Sequence, residues 1–142
     1  ASEPNIEFVP IIQQEIVAIL PTVHPLCHKE ALSAKDFADC HVLGYARHSG
    51  LGKYTRSFFK KHDVSPNFIC ESPDENGIAS LVAHGFGIAL VADVDTIYRD
   101  DICIRPLVSN ESFSHTVYMG YIRGKYQLPA VQRFIEFVKQ HG

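Results

Sequence analysis

The chain has 142 residues, of which 46% are hydrophobic and 20% charged, a composition typical of one globular domain, or of one lobe and part of another. The net charge of −3 argues against a nucleic-acid-binding surface. Apolar runs stay shorter than the roughly 18 residues of a membrane helix, and the start, ASEPNIEF, lacks the features of a signal peptide. We therefore expect a cytoplasmic protein without membrane contact.

The first part of the chain predicts three strands and one short helix. IEFVPII and QQEIVAILP predict two short strands, the second mostly apolar and therefore buried. Pro21 ends the second strand, and TVHPLCHKEA follows as a loop. Ser33 with Asp36 three residues later is typical of a capping box and predicts a short helix in LSAKDFADC. The third strand is HVLGYA, from His41 to Ala46.

A glycine-rich turn, RHSGLG, leads from this strand into a predicted helix, KYTRSFFKKH. The inner face of the helix is expected to carry Leu51, Tyr54 and Phe58, with Phe59 as a further candidate. NFICE is the next predicted strand.

The stretch ESPDENGIASLVAHGFGIALVAD, residues 71–93, predicts a helix and a buried strand joined by a glycine turn. Ser72 fits the N-cap, Pro73 the first helical position and Glu75 the third. Gly85 is expected to adopt the left-handed conformation that commonly ends a helix. FGIALVA then predicts a strand parallel to NFICE. The buried face of the helix consists of Ile78, Leu81 and Val82.

The last part of the chain predicts two strands, ICIRPL and SHTVYMGYI, and a helix that begins at Leu128–Pro129. The order of the predicted elements is β-β-α-β-α-β-α-β-β-β-α. Its alternating middle favours an α/β fold in which a parallel sheet carries helices on its faces. The apolar face of the final helix consists of Val131, Phe134, Ile135 and Val138.

Two loops at strand ends are candidates for a binding site, because ligands of open α/β sheets lie beyond the carboxyl ends of the strands. The first loop, Ala46–Gly52, contains Arg47, His48 and Ser49, and the second is Glu71–Asp74. Both deliver backbone N–H groups, which suits a small anionic or polar ligand. The alternative is that Ser72 merely caps its helix and Arg47 is a solvated surface charge.

The four cysteines are Cys27, Cys40, Cys70 and Cys103. None forms a C-x-x-C pair and each lies in or beside an apolar segment, which favours buried, reduced thiols. The alternative is a disulfide or a redox switch.

The segment HPLCH offers three possible zinc ligands, His24, Cys27 and His28. No second group of ligands follows at the spacing of a zinc finger, so a loop histidine and a buried cysteine are the favoured interpretation. A G-x-S-x-G elbow is absent, and GFG follows a helix and precedes a strand, the reverse of a dinucleotide-binding loop. We therefore predict no catalytic residue, no metal and no cofactor.

Four segments in this order resemble the effector-binding domain of LysR-type transcriptional regulators. They are EIVAILPTVHPL, LSAKDFADCHVLGY, IASLVAHGFGIALVAD and SHTVYMGYIRGKYQLPAVQRFIEFVKQ. The similarity extends from about Phe8 to Lys139. The third segment is similar to the family's lVaaGlGialvP pattern, with Ala92–Asp93 where proline is frequent.

The resemblance implies a two-lobed α/β fold, similar to type 2 periplasmic binding proteins, with a small molecule bound between the lobes. EIVAILP and HTVYMGYI would be the two antiparallel hinge strands. Residues 1–20 and 118–142 would then belong to the first lobe and residues 21–117 to the second. The chain would thus hold one complete lobe plus the returning strands and the C-terminal helix of the other.

Compared with a complete effector domain, about two βα units of roughly 30 residues each are missing, and so is the winged helix-turn-helix. The resemblance therefore implies DNA contact only through an absent N-terminal part, and a homo-oligomer. The donors of Arg47 and Ser49, together with the partial positive charge of the helix N-terminus, predict an organic acid or other small anion as effector. The effector site of the family uses the loop that matches Arg47–Gly50. Our predicted ligand-binding residues are Arg47, His48, Ser49, Gly50, Ser72 and Phe86.

Two other functions are weighed against this one. The first is a solute receptor of the same fold, against which the lack of an export signal argues. The second is a small zinc hydrolase that uses His24, Cys27 and His28.

Overall fold

The computed structural model describes residues 6–122. The chain forms two compact units, one of Ala1–Gln14 with Ser114–Gly142 and one of Glu15–Phe113. The bounds of the two units lie a few residues from the bounds expected for the two lobes. The division of the chain into lobes stays a prediction. The predicted helix after Pro129 lies outside the described residues.

The described residues form six strands, two α-helices and three short 3-10 helices. The strands are β1 (Ile6–Pro21), β2 (His41–Tyr45), β3 (Asn67–Ser72), β4 (Ile88–Ala92), β5 (Ile102–Pro106) and β6 (Ser114–Ile122). The α-helices are α1 (Gly50–Lys61) and α2 (Glu75–Ala83), and the 3-10 helices span Pro25–His28, Ala34–Phe37 and Asp95–Ile97.

The strands are ordered β3-β2-β4-β1-β5, and β6 pairs with β1. β2 runs parallel to both of its neighbours, β3 and β4. β1 runs antiparallel to β4 and β5. NFICE and FGIALVA are therefore parallel, as predicted, but β2 lies between them.

β1 is one continuous strand where the sequence predicted two. The predicted break was between Ile12 and Gln13, but the extended backbone continues through both residues. The predicted pairing of EIVAILP with HTVYMGYI is also wrong for most of its length. Val17–Ile19 has β4 on one side and β5 on the other, so only the part of β1 ahead of Val17 is available to β6.

β2, β4 and the Ile16–Leu20 part of β1 are covered on both faces, so these segments are apolar almost throughout rather than alternating. On the face of α1, Ile16, Ala18 and Leu20 of β1 pack with Phe58 and Phe59. On the face of α2, the core contains Val17, Ile19, Leu43, Tyr45, Ile78, Val82 and Val91. The predicted α/β architecture is confirmed.

α1 begins at Gly50, three residues earlier than predicted, because Ser49 caps it. The Ser49 hydroxyl oxygen accepts a hydrogen bond from the N–H of Gly52 at 2.9 Å. Phe58 and Phe59 are buried as expected, whereas the side chain of Tyr54 is 37% exposed and packs against Phe113. Tyr54 is thus not part of the inner face.

α2 begins at Glu75, and its N-cap is Asp74 rather than the predicted Ser72. A carboxylate oxygen of Asp74 accepts from the N–H of Gly77 at 2.9 Å. Ser72 cannot take this place because it is the last residue of β3, where its C=O accepts from Ala46 N–H. The helix ends as predicted: Gly85 has a φ of 84°, and the two hydrogen bonds of a Schellman motif close the last turn.

Candidate ligand-binding site

The direction in which the chain winds reverses at β2. From β2 the chain passes through α1 to β3 on one side, and from β3 through α2 to β4 on the other side. α1 packs on one face of the sheet and α2 on the opposite face. The gap between the carboxyl ends of β2 and β4 is therefore a topological switch point, where open α/β sheets bind their ligands.

Tyr45 bridges this gap. The backbones of β2 and β4 pair as far as Leu43 and Ala89, and beyond them the Tyr45 hydroxyl oxygen accepts from the N–H of Ala92 at 2.9 Å. The same hydroxyl donates to Oε2 of Glu75 at 2.8 Å. Burial, together with the adjacent carboxylate, raises the pKa of this phenol. Tyr45 therefore stays neutral, and its hydroxyl group links β4 to the first residue of α2 through two hydrogen bonds.

The N-terminus of α1 points to the same edge of the sheet. The Ser49 hydroxyl donates to the C=O of Ala46 at 2.8 Å while it accepts from Gly52, so its proton is already used. Gly52 is required here, because a Cβ on it would collide with the carbonyl oxygen of Ala46. The first N–H groups of an α-helix, here those of Gly50 and Leu51, have no partner within the helix and favour an anion.

Two arginines and one glutamate form a cluster beside the carboxyl ends of β2 and β3: Arg47 follows β2, Glu71 lies near the end of β3, and Arg56 lies in α1. Glu71 accepts from the backbone N–H and the Nε of Arg47, both at 3.0 Å. These hydrogen bonds hold the pKa of Glu71 below its ordinary value. Arg56 approaches the same carboxylate at 3.6 Å, donates to the C=O of Tyr45 and stacks over Phe68. The cluster has one net positive charge.

Acidic groups lie on the other side of the switch point. Asp74 and Glu75 begin α2, and Asp93 follows β4. Asp93 accepts from the hydroxyl of Tyr98 at 2.7 Å, and its N–H donates to the C=O of Glu15 at 2.9 Å. The edge is therefore cationic beside α1 and acidic beside α2, a distribution of charge that favours an anion on the α1 side.

The structure brings together most of the predicted ligand-binding residues. Arg47, His48, Ser49 and Gly50 lie beyond the end of β2, and Ser72 is buried at the end of β3. Phe86 is a correction: it is 56% exposed and precedes β4, which runs parallel to β2, so it lies at the opposite end of the strands. The lining role of Phe86 is therefore not supported.

Sequence reasoning missed Tyr45, Glu71 and Arg56. An aromatic residue inside an apolar strand is typical of a core, which hid the polar role of Tyr45. Glu71 was recognised as part of a loop but not as the partner of Arg47. Arg56 lies between Tyr54 and Phe58 in the sequence of α1, and this pattern does not predict that the arginine side chain contacts the end of β2.

The HPLCH segment has a structural role. His24 Nδ1 accepts from the N–H of Leu26 at 3.1 Å and caps the 3-10 helix Pro25–His28. Burial, with a hydrogen bond to Cys103, raises the pKa of the Cys27 thiol to about 11. Among the described residues, no group of three or more possible metal ligands is found.

All four cysteines are free, and Cys103 is buried. Cys27 and Cys40 are half-buried. Cys70 is exposed, so the prediction of a buried thiol is wrong at this position. Within residues 6–122, no helix is long and apolar enough to cross a membrane.

The comparisons with known proteins agree on one family. A family model described as "LysR substrate binding domain" matches residues 1–142. The HTH-type regulator YybE of Bacillus subtilis is 22% identical over 98% of this chain, and the Hca operon activator HcaR of Escherichia coli is 23% identical over 96%. Each match covers 47% of the relative, so the chain spans about half the length of these regulators.

Solved structures show the same fold. The effector-binding domain of QuiR, in complex with shikimate, matches 99% of this chain and 67% of its own with a TM-score of 0.80 at 23% identity. The effector-binding domain of BenM, with its effector benzoate, matches 99% of this chain and 65% of its own with a TM-score of 0.79 at 20% identity. The predicted fold of type 2 periplasmic binding proteins is confirmed, and the chain belongs to the LysR substrate-binding domain family.

Proposed function

We propose that this chain is the effector-sensing part of a LysR-type transcriptional regulator and that a small organic anion binds at the carboxyl ends of β2 and β3. The carrying observation is the convergence of the α1 N-terminus with the cationic cluster of Arg47, Arg56 and Glu71 at the carboxyl ends of β2 and β3, on the side of β2 that faces away from β4. Shikimate and benzoate, which occupy the domains of QuiR and BenM, are both carboxylates. DNA contact and location in the cytoplasm follow from the family and belong to the proposal.

Arg47 is the most informative residue of the site. Its side chain is 66% exposed, so an anion can reach its guanidinium without rearrangement of the core. Ser49 is less informative than the sequence implied. Because its hydroxyl caps α1, Ser49→Ala removes a cap and weakens the helix whether or not a ligand contacts it.

The test is calorimetric titration of acetate, succinate, shikimate and benzoate into the wild type and two variants. Arg47→Ala should weaken binding about tenfold, the effect of losing one charge-assisted hydrogen bond. Arg99→Ala is the matched control, because Arg99 is also paired with a carboxylate, that of Asp101, but lies in the segment between β4 and β5. Equal affinity of one acid for all three proteins would place its site elsewhere.

A further inference from the structure

A cavity of about 230 Å³ lies beside α1, against the segment that precedes β6. It is lined by residues of α1 from Tyr54 onward, by His62 and by residues 110–113. All of its lining residues belong to the unit Glu15–Phe113, and none of them is part of the site at the carboxyl ends of β2 and β3. The cavity is therefore separate from the proposed effector site.

One wall of the cavity is a layer of aromatic rings. Phe58 and Phe113 stack with a centroid separation of 4.8 Å and an interplanar angle of 11°. Tyr54 packs against Phe113 at 5.2 Å, and the ring of His62 lies 4.7 Å from that of Phe58. Phe58 is almost fully buried, whereas Tyr54 is exposed over 37% of its surface. The wall thus offers flat apolar surface that a ring can cover.

The rim of the cavity is polar and contains an uncompensated cation. Lys61 lies in the last turn of α1, and within the described part of the chain it has no ion pair. Glu111 also lines the cavity, but its Oε1 accepts from the N–H of Ala34 at 2.7 Å. One carboxylate of a ligand can therefore pair with Lys61, while Glu111 disfavours a second one.

The volume limits the ligand to a small molecule. Sites for drug-sized ligands enclose roughly 300–1,000 Å³, so this cavity suits a single ring with a short substituent. We propose that it is a second ligand site, which binds an aromatic monocarboxylate with its ring against Tyr54 and Phe113 and its carboxylate at Lys61. α1 then contributes to both sites, through its N-terminus to one and through its residues from Tyr54 onward to the other.

The test is an NMR titration of the ¹⁵N-labelled protein with phenylacetate. We expect the amide signals of residues 54–62 and 110–113 to shift, and those of residues 46–52 to stay in place. Lys61→Ala should weaken binding about fivefold, the effect of losing one partly exposed ion pair. Lys60→Ala, which removes the same charge from the neighbouring position outside this cavity, should leave the affinity unchanged.

Two further compounds separate the contributions of ring and charge. Cyclohexylacetate, which keeps the carboxylate but lacks the aromatic ring, should bind more weakly, and benzylamine, which reverses the charge, should not bind. Shifts confined to residues 46–52 would overturn the second site and place the acid at the proposed effector site instead. No shifts at all, or equal binding of benzylamine, would also overturn it.

Discussion

The hydroxyl oxygen of Tyr45 accepts a hydrogen bond from the backbone N–H of Ala92 at 2.9 Å, beyond the point where the backbones of β2 and β4 pair. Tyr45→Phe leaves this buried N–H without a partner and also frees the carboxylate of Glu75. We expect the free energy of unfolding to fall by about 1–3 kcal/mol. Urea denaturation of the wild type and the variant measures this change in the free energy of unfolding.

Tyr98→Phe is the control for this prediction. Tyr98 is 62% exposed and donates one hydrogen bond, to Asp93, so its hydroxyl should contribute little to stability. Equal losses in the two variants would contradict the special role of Tyr45.

The position of Val17 in β1 predicts a large effect of charge. Val17 is 4% exposed and lies between Val91 of β4 and Pro106 of β5. Val17→Asp buries a carboxylate without a partner and should cost several kcal/mol of stability. Val23→Asp introduces the same charge at a residue that is 91% exposed, and its melting temperature should stay near that of the wild type. An unchanged melting temperature for Val17→Asp would contradict the burial of this side chain in the core.

The assignment of Asp74 as N-cap of α2 can be tested by truncation. Asp74→Ala removes the acceptor of the Gly77 N–H and should cost about 1 kcal/mol in chemical denaturation. Asn76→Ala, at an exposed position in the first turn of the same helix, should have a smaller effect. A larger loss for Asn76→Ala than for Asp74→Ala would speak against this cap.

Asp36 predicts a pH dependence of stability. Burial alone would raise its pKa, but hydrogen bonds from Lys29 Nζ and the N–H of Ser33 outweigh burial and leave the pKa below its ordinary value. A lowered pKa in the folded state stabilises above the unfolded pKa of about 4, and this contribution is lost as the pH falls through the folded value.

Asp36→Asn should therefore lower the melting temperature at pH 7 and flatten its decline below about pH 4. Asp39→Asn, at an exposed position nearby, is the control. Melting curves of both variants between pH 2 and pH 7 decide the matter. If the melting temperatures of the wild type and Asp36→Asn fall in parallel as the pH is lowered, this carboxylate does not contribute to the pH dependence of stability.

We expect the chain to self-associate through the exposed edge of its described sheet. Within the described sheet β3 has β2 as its one neighbour, and Ile69 on it is 43% exposed. Exposed apolar edge strands recruit other chains. Sedimentation velocity should show a concentration-dependent oligomer that Ile69→Lys weakens and Val23→Lys does not. A monomer at high concentration would contradict the prediction.

Local features of the fold could be predicted from the sequence, whereas pairings between distant segments could not. Gly85 ends α2 as expected because a left-handed turn after the last apolar position is decided within a few residues. The neighbours of β1 come from β4 and β5, far along the chain, and several apolar strands fit that place equally well.

In the candidate site, too, local features could be predicted and contacts between distant segments could not. The positions of Arg47 and Ser49 beyond the end of a strand could be predicted because both residues directly follow an apolar segment. The contact of Arg47 with Glu71 could not, because it depends on a shift in the register of β2 against β3 between Val42 and Leu43. Ile69 is the extra residue at this irregularity, and it places Glu71 opposite Gly44. Irregularities of this kind leave no mark in a pattern of apolar and polar residues.

In the proposed site, a carboxylate ligand would meet a guanidinium that already donates its Nε–H to Glu71. Such a ligand can use the remaining N–H groups of Arg47, but the negative charge of Glu71 beside it reduces the gain in affinity. Because Glu71 offsets one positive charge of the cluster, binding should respond less to ionic strength than it would at an unpaired arginine.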